Sequence, residues 1–492
     1  MTKKRQRVYL LAILAVSVVC RCIALGNRGI QYDDAFSFFL AIRSLPEIVS
    51  GTAADTMPPL YYFLLHFWLA ISRELWFLRL LSVILTLFSS FILFKLVSEL
   101  AGAKAGLWAV LFAAFSPLQI YHAQDLRMYA LLEFFQLGYA FCLIKAWKPE
   151  QSVGKNALGW WIGAIFFAVG AMYTHNLAIF GLVAADIYLL FKRNWRLLGK
   201  LILAQVAIAL FSLPWLIMIP GQLEKVQRAF WTPRPGVVEV VQAFLMWFMN
   251  LPLSGFWMVL AAVLGIQAFV LVLFELYRAR KIWKEPGYLV AWAFVPPVLL
   301  FVISYFTRPV FVPRGFLVSS MAFYGLAGIV VAKRGLIGKW IAGTILLAAL
   351  VSLPFFYTFA EFPRSPFYQA TIALKQDLQP DGVIIHDNKL SYFPSHFYAP
   401  ELPQHFLADE PGSFNDTYAI PSQQAMQLIP DANLETAIGG ANEVFFVVFT
   451  QAIEEYRSAG RQNHPAMVWL DSHFIQTDLM EFNDLQVIRY ER

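Results

Sequence analysis

Long apolar segments, separated by small groups of basic residues, are the feature of this sequence that most constrains its fold. Apolar residues make up 59% of the 492 residues and charged residues only 14%. In soluble domains about a quarter of all residues are charged. A run of roughly 20 apolar residues is long enough to cross a bilayer as a helix. The sequence therefore predicts an all-α polytopic membrane bundle.

Eleven apolar segments predict about eleven transmembrane helices. Their approximate ranges are 8–25, 76–98, 104–121, 126–146, 158–174, 176–191, 199–220, 254–276, 288–306, 315–332 and 340–358. The first follows a basic N-terminus but lacks a small-x-small cleavage site, so we interpret it as an uncleaved span. Segment 58–70 is too short to cross easily and is predicted to lie on the outer surface as an interfacial helix. The Phe-rich segment 35–45, which follows two acidic residues, is predicted to be a second one.

The distribution of Lys and Arg predicts that the N-terminus is cytoplasmic. In this orientation the N-terminal tail and the connections on the same side hold 20 basic residues, against nine outside before the C-terminal segment. If segment 58–70 crossed the membrane, every later connection would change side and the basic ones would lie outside. We therefore expect a multi-pass protein of a cell membrane, a bacterial inner or plasma membrane, whose C-terminal segment is extracytoplasmic.

The composition changes near residue 359, where prolines, acids and amides become frequent. Short β-like runs occur at 382–386, 443–449 and 485–490, and a helix is predicted at 367–378. These elements predict a small extracytoplasmic α/β domain at 359–492. Residues 1–358 then form the transmembrane domain.

Polar residues that can carry chemistry gather in the predicted outside connections. They are Asp33, Asp34, His122, Asp125, Arg127, Tyr129, His175, Arg308 and Arg314. In the span interiors we single out Glu133 and Asp186, which we expect to pair or hydrogen-bond within the bundle. Coupled transporters commonly place ionisable groups near the bilayer midplane. The distribution therefore favours chemistry at the membrane boundary over transport.

Each acidic candidate has a structural alternative. In the Asp33-Asp34 pair, a neighbouring like charge can raise the pKa of one carboxyl group, which suits a general base. The same pair could instead cap a helix that begins near Ala35. The two roles could also divide, with Asp33 as the base and Asp34 as a cap or substrate ligand.

The basic candidates have structural alternatives as well. Arg127 could form a salt bridge with Asp125, and Arg308 and Arg314 could anchor the chain at the interface. His175 could be an ordinary polar turn residue. The planar guanidinium group nevertheless suits bidentate binding of a phosphate, and the phosphate of a membrane lipid would lie at this depth.

Several function classes lack their sequence signatures. The chain contains no G-x-x-x-x-G-K-[ST], G-x-G-x-x-G or H-E-x-x-H motif. Its three cysteines lie in apolar runs, so we predict neither a disulfide nor a metal site. The basic residues form no single patch that would bind nucleic acid. A cytoplasmic sugar donor would lie on the wrong side for these connections, so a lipid-linked donor is expected.

Seven short motifs, in this order, resemble the C-type (GT-C) glycosyltransferases, and specifically the branch of protein O-mannosyltransferases and aminoarabinose transferases. They are Tyr32-Asp33-Asp34-Ala35-Phe36, Met57-Pro58-Pro59-Leu60-Tyr61-Tyr62, Leu78-Arg79-Leu80-Leu81-Ser82, Ser116-Pro117, Gln124-Asp125-Leu126-Arg127-Met128-Tyr129, Tyr173-Thr174-His175 and Arg308-Pro309-Val310-Phe311-Val312-Pro313-Arg314. The resemblance covers about residues 8–330. Two positions depart from it: the family commonly has Asp-Glu in the first motif and an aromatic residue at the position of Asn176.

The resemblance implies an inverting, single-displacement transfer of a sugar from a polyprenyl-phosphate donor to a hydroxyl of a protein, glycan or lipid acceptor. Asp33 would deprotonate the acceptor, and Arg314, with Arg308 or Arg127, would stabilise the leaving phosphate. The positioning residues would be Asp34, His122, Asp125, Tyr129 and His175. The resemblance implies no certain cofactor and leaves a divalent metal open.

Two other functions stay open at this point. A lipid or sugar-lipid transporter (a flippase) would also have many spans and a polar face, and it would be expected to show deep charges and internal repeats. A catalytically silent scaffold would use the C-terminal domain to bind a partner.

Overall fold

The structure, a computed structural model, contains two compact units. It describes residues 1–148, 155–228, 232, 234–281, 286–358, 365–411, 413, 416–458, 460 and 463–492. The membrane unit comprises Met1–Leu25 and Thr52–Glu361, and the C-terminal unit comprises Gly26–Gly51 and Phe362–Arg492. The predicted basic connections 145–157 and 277–284 and the predicted boundary at 359 lie partly outside the described residues.

The described regular structure of the membrane unit is helical. Chain order runs through α1 (Lys3–Cys22), α2 (Tyr32–Ala41, in the C-terminal unit), α3 (Leu45–Ala54, shared by the two units), α4 (Leu60–Leu69), α5 (Leu75–Ala101), α6 (Ala103–Phe115), α7 (Pro117–Ala123), α8 (Tyr129–Trp147), α9 (Lys155–Met172), α10 (Ala178–Phe191), α11 (Trp195–Leu216), α12 (Ile219–Arg228), α13 (Val237–Leu245), α14 (Gly255–Ala279), α15 (Gly287–Phe306), a 3-10 turn (Pro313–Phe316), α16 (Leu317–Lys333) and α17 (Gly335–Thr358).

Seven described helices are long and apolar enough to cross a membrane, or eight if α6 and α7 count as one span. The predicted number of eleven is therefore not confirmed. Helix α1 is not among the seven because basic residues occupy both of its ends. Three further apolar helices, α4, Ala157–Met172 and α10, are shorter than a typical span.

The span predicted at 104–121 is divided into two helices, which together are apolar enough to form one broken span. Helices α6 and α7 meet at an angle of 66°, and Ser116 at the break has an extended backbone. Pro117 disfavours continuation of α6 because it lacks an N–H group and its ring crowds the preceding turn, and it suits the first position of a new helix. The Ser116 hydroxyl then caps α7 by accepting a hydrogen bond from the Gln119 N–H at 3.3 Å.

The C-terminal unit contains a mixed sheet of five strands, β1 (Gly382–His386), β2 (Gln404–Phe406), β3 (Glu443–Phe449), β4 (Ile475–Phe482) and β5 (Leu485–Glu491), in the order β2-β1-β3-β5-β4. Strand β1 is parallel to β2 and β3, whereas β5 is antiparallel to β3 and β4. The helices are α18 (Phe367–Asp377), α19 (Lys389–Tyr398), α20 (Ile420–Met426), α21 (Leu434–Ile438), α22 (Thr450–Ser458) and α23 (Pro465–His473). The predicted α/β pattern, including the three predicted strands and the helix α18, is confirmed.

Helix α2 packs against α19 within the C-terminal unit. The ring of Phe393 lies 5.2 Å from Tyr32 and 5.8 Å from Phe39, measured between centroids. The Ile30 N–H donates to the Tyr398 hydroxyl at 2.9 Å. The chain boundary predicted at 358 did not anticipate this grouping, because residues 26–51 join the C-terminal unit through aromatic contacts that are distant in sequence.

Candidate active site

A buried His–Asp pair lies at the end of α7. The His122 Nδ1 and the Asp125 Oδ2 are 3.0 Å apart. A carboxylate only accepts hydrogen bonds, so Nδ1 carries the proton and the other ring nitrogen, Nε2, is left as an acceptor in the neutral imidazole. The break at Ser116 turns α7 away from α6, and His122 and Asp125 follow on this short helix and the connection after it.

Backbone contacts hold the connection after α7. The Gln124 side chain donates to the carbonyl of Arg21 at 3.0 Å and to that of Ile23 at 2.8 Å. The Ser82 hydroxyl donates to the carbonyl of Asp125 at 2.8 Å. Helices α1 and α5 therefore fix the segment that carries the predicted site residues.

Tyr129, His175 and Arg314 extend this pair into a cluster. The Tyr129 ring lies 5.0 Å from the His122 ring and 5.8 Å from the His175 ring. The Arg314 guanidinium carbon lies 6.0 Å from the Tyr129 centroid, at the limit of a cation–π contact. Residues from α7, α8, the α9–α10 turn and the 3-10 turn thus converge.

The cluster is buried although it is polar. Residues exposed by no more than 7% are His122, Asp125, Arg127, Tyr129 and His175. Burying polar groups costs free energy unless they are hydrogen-bonded or ion-paired, so these side chains depend on specific polar partners. We call the five residues together with Arg314 the polar cluster.

His175 is held as a neutral imidazole. Its Nδ1 accepts a hydrogen bond from the Leu177 N–H at 3.0 Å, which places the single ring proton on Nε2. Burial, and then the positive charges of Arg314 and Arg127, lower the pKa of His175 to about 3. The side chain therefore offers one N–H donor at every physiological pH, beside two guanidinium groups.

We expect the depressed pKa of His175 to make stability fall as the pH is lowered. An unfolded His binds a proton below its pKa near 6.5, whereas the folded His175 does not until about pH 3. The loss is at most about 1.4 kcal/mol per pH unit, or about 2 kcal/mol between pH 6.5 and pH 5. The test compares unfolding midpoints of the wild type and His175→Gln in detergent at pH 7 and pH 5. Equal pH dependence in both proteins would contradict the assignment.

The short turn that carries His175 is anchored on both sides. The Leu60 N–H donates to the carbonyl of Tyr173 at 3.1 Å. The Asn176 amide donates to the carbonyl of Thr56 at 2.8 Å and accepts from the Trp215 indole N–H at 3.1 Å. Asn176, where the family pattern commonly has an aromatic residue, therefore serves as a clamp between the 52–60 segment and α11.

Arg308 lies just after α15 and is half-buried. The connection that carries it turns back on α15, because the Val310 N–H donates to the Ser304 hydroxyl at 3.0 Å. Arg308 is thus on the same connection as Arg314, six residues before it. Its predicted role in binding phosphate stays a prediction.

The acidic pair Asp33-Asp34 belongs to the C-terminal unit. Helix α2 begins at Tyr32 with Gln31 as its N-cap, so both acids lie in the first turn, where the helix dipole favours negative charge. The alternative in which this pair caps a helix starting near Ala35 is therefore wrong. Asp34 is 3% exposed, whereas Asp33 is half-buried.

Sequence reasoning missed the role of Arg21. This arginine is fully buried, and it donates to the Ser17 hydroxyl at 2.5 Å and to the carbonyl of Ala113 at 3.1 Å. Ala113 lies in the last turn of α6, whose carbonyls lose their helical partners at the break. An arginine inside an apolar run was the available signal.

Of the two acids predicted to pair or hydrogen-bond inside the bundle, Asp186 does so, whereas neither carboxylate oxygen of Glu133 has a direct hydrogen-bond partner among the described residues. Asp186 accepts two hydrogen bonds from the Gln205 amide, at 3.0 and 2.9 Å. Glu133 is fully buried and interacts electrostatically with Arg21. Within the described residues, no group of three or more His, Cys, Asp or Glu side chains is arranged to hold a metal ion.

Residues 56–217 match the family model described as dolichyl-phosphate-mannose-protein mannosyltransferase. Among solved structures, ArnT from Cupriavidus metallidurans bound to undecaprenyl phosphate has a TM-score of 0.66 at 13% identity, covering 98% of both chains. The apo form of the same protein has a TM-score of 0.68 at 13% identity and the same coverage.

A second solved relative in fold is the oligosaccharyltransferase AglB from Archaeoglobus fulgidus, in complex with an inhibitory peptide and a dolichol-phosphate. It has a TM-score of 0.55 at 11% identity, covering 92% of this chain and 71% of that one. No curated protein matches the chain in sequence. The GT-C resemblance inferred from the motifs is confirmed, and the fold is ArnT-like.

Proposed function

We propose that this protein is a membrane glycosyltransferase that moves a sugar from a polyprenyl-phosphate donor to an acceptor hydroxyl on the extracytoplasmic face. The observation that carries the proposal is the polar cluster, in which Arg314, Arg127 and the neutral His175 meet beside the Tyr129 ring. The ArnT-like fold supports it, because ArnT is described bound to undecaprenyl phosphate.

The polar cluster has the chemistry to bind a phosphate ester. The guanidinium groups of Arg127 and Arg314 provide charge and paired N–H donors, which match phosphate oxygens. The His175 Nε2–H adds a neutral donor that does not depend on pH. In a buried setting these fixed donors interact more strongly with developing negative charge than they would in water.

The proposed reaction is one inverting displacement. Asp33 takes the proton of the acceptor hydroxyl as the acceptor oxygen forms a bond to the sugar C1. The bond between C1 and the phosphate oxygen breaks, and polyprenyl phosphate leaves with its electron pair. Arg314, with Arg127 and Arg308, stabilises the charge that grows on the phosphate.

The remaining predicted residues position the substrates. The His122–Asp125 pair presents an acceptor nitrogen to a sugar or acceptor hydroxyl, and the Tyr129 ring provides an apolar face for a sugar or for the first part of the lipid. Asp34, which is buried beside the base, helps to orient the first turn of α2. The acceptor class is a protein, glycan or lipid, and no metal is required by this scheme.

The direct test incubates the purified protein with labelled polyprenyl-phosphate sugars and candidate acceptors. We expect a covalent sugar–acceptor product together with the release of polyprenyl phosphate. Movement of the labelled lipid between the leaflets of a vesicle, with no covalent product, would favour the transporter instead. The mass of the glycan component missing from a deletion strain would identify the sugar and the acceptor.

We expect the predicted topology to appear in cysteine labelling of intact cells. Cys22 is exposed, whereas Cys20 and Cys142 are buried, so Cys22→Ser provides the background. An impermeant maleimide should label Glu74→Cys and Thr477→Cys from outside, and Arg196→Cys only after permeabilisation. All three residues are exposed, so the reverse pattern would overturn the topology and the proposed side of reaction.

A further inference from the structure

A groove between α14 and α17 lies apart from the polar cluster. Its volume is about 780 Å³, and its lining residues are Gln267, Leu271, Phe274, Glu275, Arg278, Leu336, Ile337, Lys339 and Trp340. These residues come from the C-terminal half of α14, the first turns of α17 and no other helix. By the Lys/Arg distribution, this end of the two helices lies at the cytoplasmic boundary of the membrane.

One side of the groove is apolar and open. Phe274 is 55% exposed, Leu336 82% and Trp340 61%. Apolar side chains this exposed at the ends of spanning helices are in contact with lipid when the protein is in a bilayer. Tryptophan also favours the boundary between hydrocarbon and headgroups, so the groove reaches from the acyl-chain region to the headgroup region.

The other side of the groove is basic. Its single carboxylate among the lining residues, Glu275, is buried and is balanced by the Arg334 guanidinium, whose Nε lies 2.6 Å from Oε2. Arg278 is 3.7 Å from the other carboxylate oxygen, but its side chain is 62% exposed. Lys339 is exposed as well. The groove thus presents two exposed cations around a carboxylate that is already neutralised.

We propose that this groove binds an anionic phospholipid of the surrounding bilayer. The phosphate and the second charged or hydroxylated part of the headgroup lie on Arg278 and Lys339, and an acyl chain lies along Phe274, Leu336 and Trp340. The choice of an anionic phospholipid rests on the two-part lining. A soluble anion would contact the basic side alone, and a zwitterionic lipid would leave the net positive charge of the groove unmatched. The site is independent of the proposed transfer reaction.

Native mass spectrometry of the full-length protein in detergent tests this site. Phosphatidylglycerol and phosphatidylcholine with identical acyl chains are added in equal amounts, and the lipid-bound species are counted. We expect preferential retention of phosphatidylglycerol by the wild type. The double variant Arg278→Gln/Lys339→Gln should retain it about 30-fold more weakly, which corresponds to about 1 kcal/mol for each removed cation.

A matched control removes one arginine and one lysine from the same predicted side of the membrane. Arg196→Gln/Lys200→Gln on α11 should retain phosphatidylglycerol as the wild type does, since neither residue lines the groove. Trp340→Ala should weaken retention of both lipids by removing part of the apolar side. Equal retention of the two lipids by the wild type, or unchanged retention in the Arg278/Lys339 variant, would overturn the proposal. An unaltered unfolding midpoint confirms that each variant is folded.

Discussion

Asp33→Asn is expected to lower the rate of sugar transfer about 1,000-fold while leaving the protein folded. An amide cannot take the proton of the acceptor hydroxyl, and a positioned general base typically contributes between about 100- and 10,000-fold. Asparagine has nearly the shape of aspartate, so α2 should keep its start at Tyr32 and its aromatic contacts with α19. The measurement is kcat with a labelled polyprenyl-phosphate sugar, at saturating acceptor.

Two other acid-to-amide variants in the same unit test whether the loss of activity is specific to Asp33. Glu47→Gln removes a partly exposed acid that accepts a hydrogen bond from Ser44 in the same unit, and it should leave kcat within twofold of the wild type. Asp34→Asn alters the buried member of the pair and is expected to act more on KM or stability than on kcat. Full activity of Asp33→Asn would exclude Asp33 as the base without excluding a transferase.

Arg314→Gln is expected to lower kcat/KM by about 100- to 1,000-fold. Removing one preorganised donor to a developing negative charge typically costs about 3 to 4 kcal/mol. The guanidinium carbon of Arg314 lies 6.0 Å from the Tyr129 ring centroid, and its charge is one of the two that act on His175. Arg314→Lys keeps the charge but loses the paired donors, so its activity should fall between those of the wild type and Arg314→Gln.

The control for Arg314 is Arg73→Gln, which removes an exposed arginine of the connection between α4 and α5. Its activity should stay close to that of the wild type. A loss that appears in KM with kcat unchanged would mean that Arg314 binds the ground state and the transition state equally. That outcome would exclude the proposed stabilisation of the leaving phosphate.

A second effect of Arg314→Gln follows from the pKa of His175. One of the two positive charges that depress this pKa is removed, so the pKa should rise from about 3 toward its usual value. Desolvation is the larger cause and stays in place, so the rise should be partial. The extra loss of stability between pH 7 and pH 5 should therefore be smaller in Arg314→Gln than in the wild type.

The sequence predicted the residues of the polar cluster but not their arrangement. Asp125, Arg127 and Tyr129 lie on one short segment, so their proximity follows from the sequence. His175 and Arg314 join them from distant connections. The only sequence indication of this proximity was that all of these residues were predicted to lie at the same membrane boundary. The hydrogen bond from Leu177 that fixes the tautomer of His175 depends on a local turn that no motif specifies.

The number of spans and the grouping of α2 show where sequence patterns stop being informative. Hydropathy finds apolar segments, but it does not distinguish a straight helix from one broken at Ser116-Pro117. The sequence boundary at residue 358 also placed residues 26–51 in the transmembrane domain, since they lie between apolar segments. Their aromatic side chains instead pack against Phe393 and its neighbours, a choice made by contacts across more than 350 residues.

The amino-acid sequence by itself determined that this protein is a helical membrane bundle with an α/β domain at its C-terminus. Composition and periodicity suffice for this, because the spacing of apolar residues within each segment indicates whether it is a helix or a strand. Only the tertiary structure decided which polar groups meet and in which protonation state. Arg127, Arg314 and His175 are far apart along the chain, and the low pKa of His175 exists only because folding buries its ring and brings the two guanidinium groups close to it.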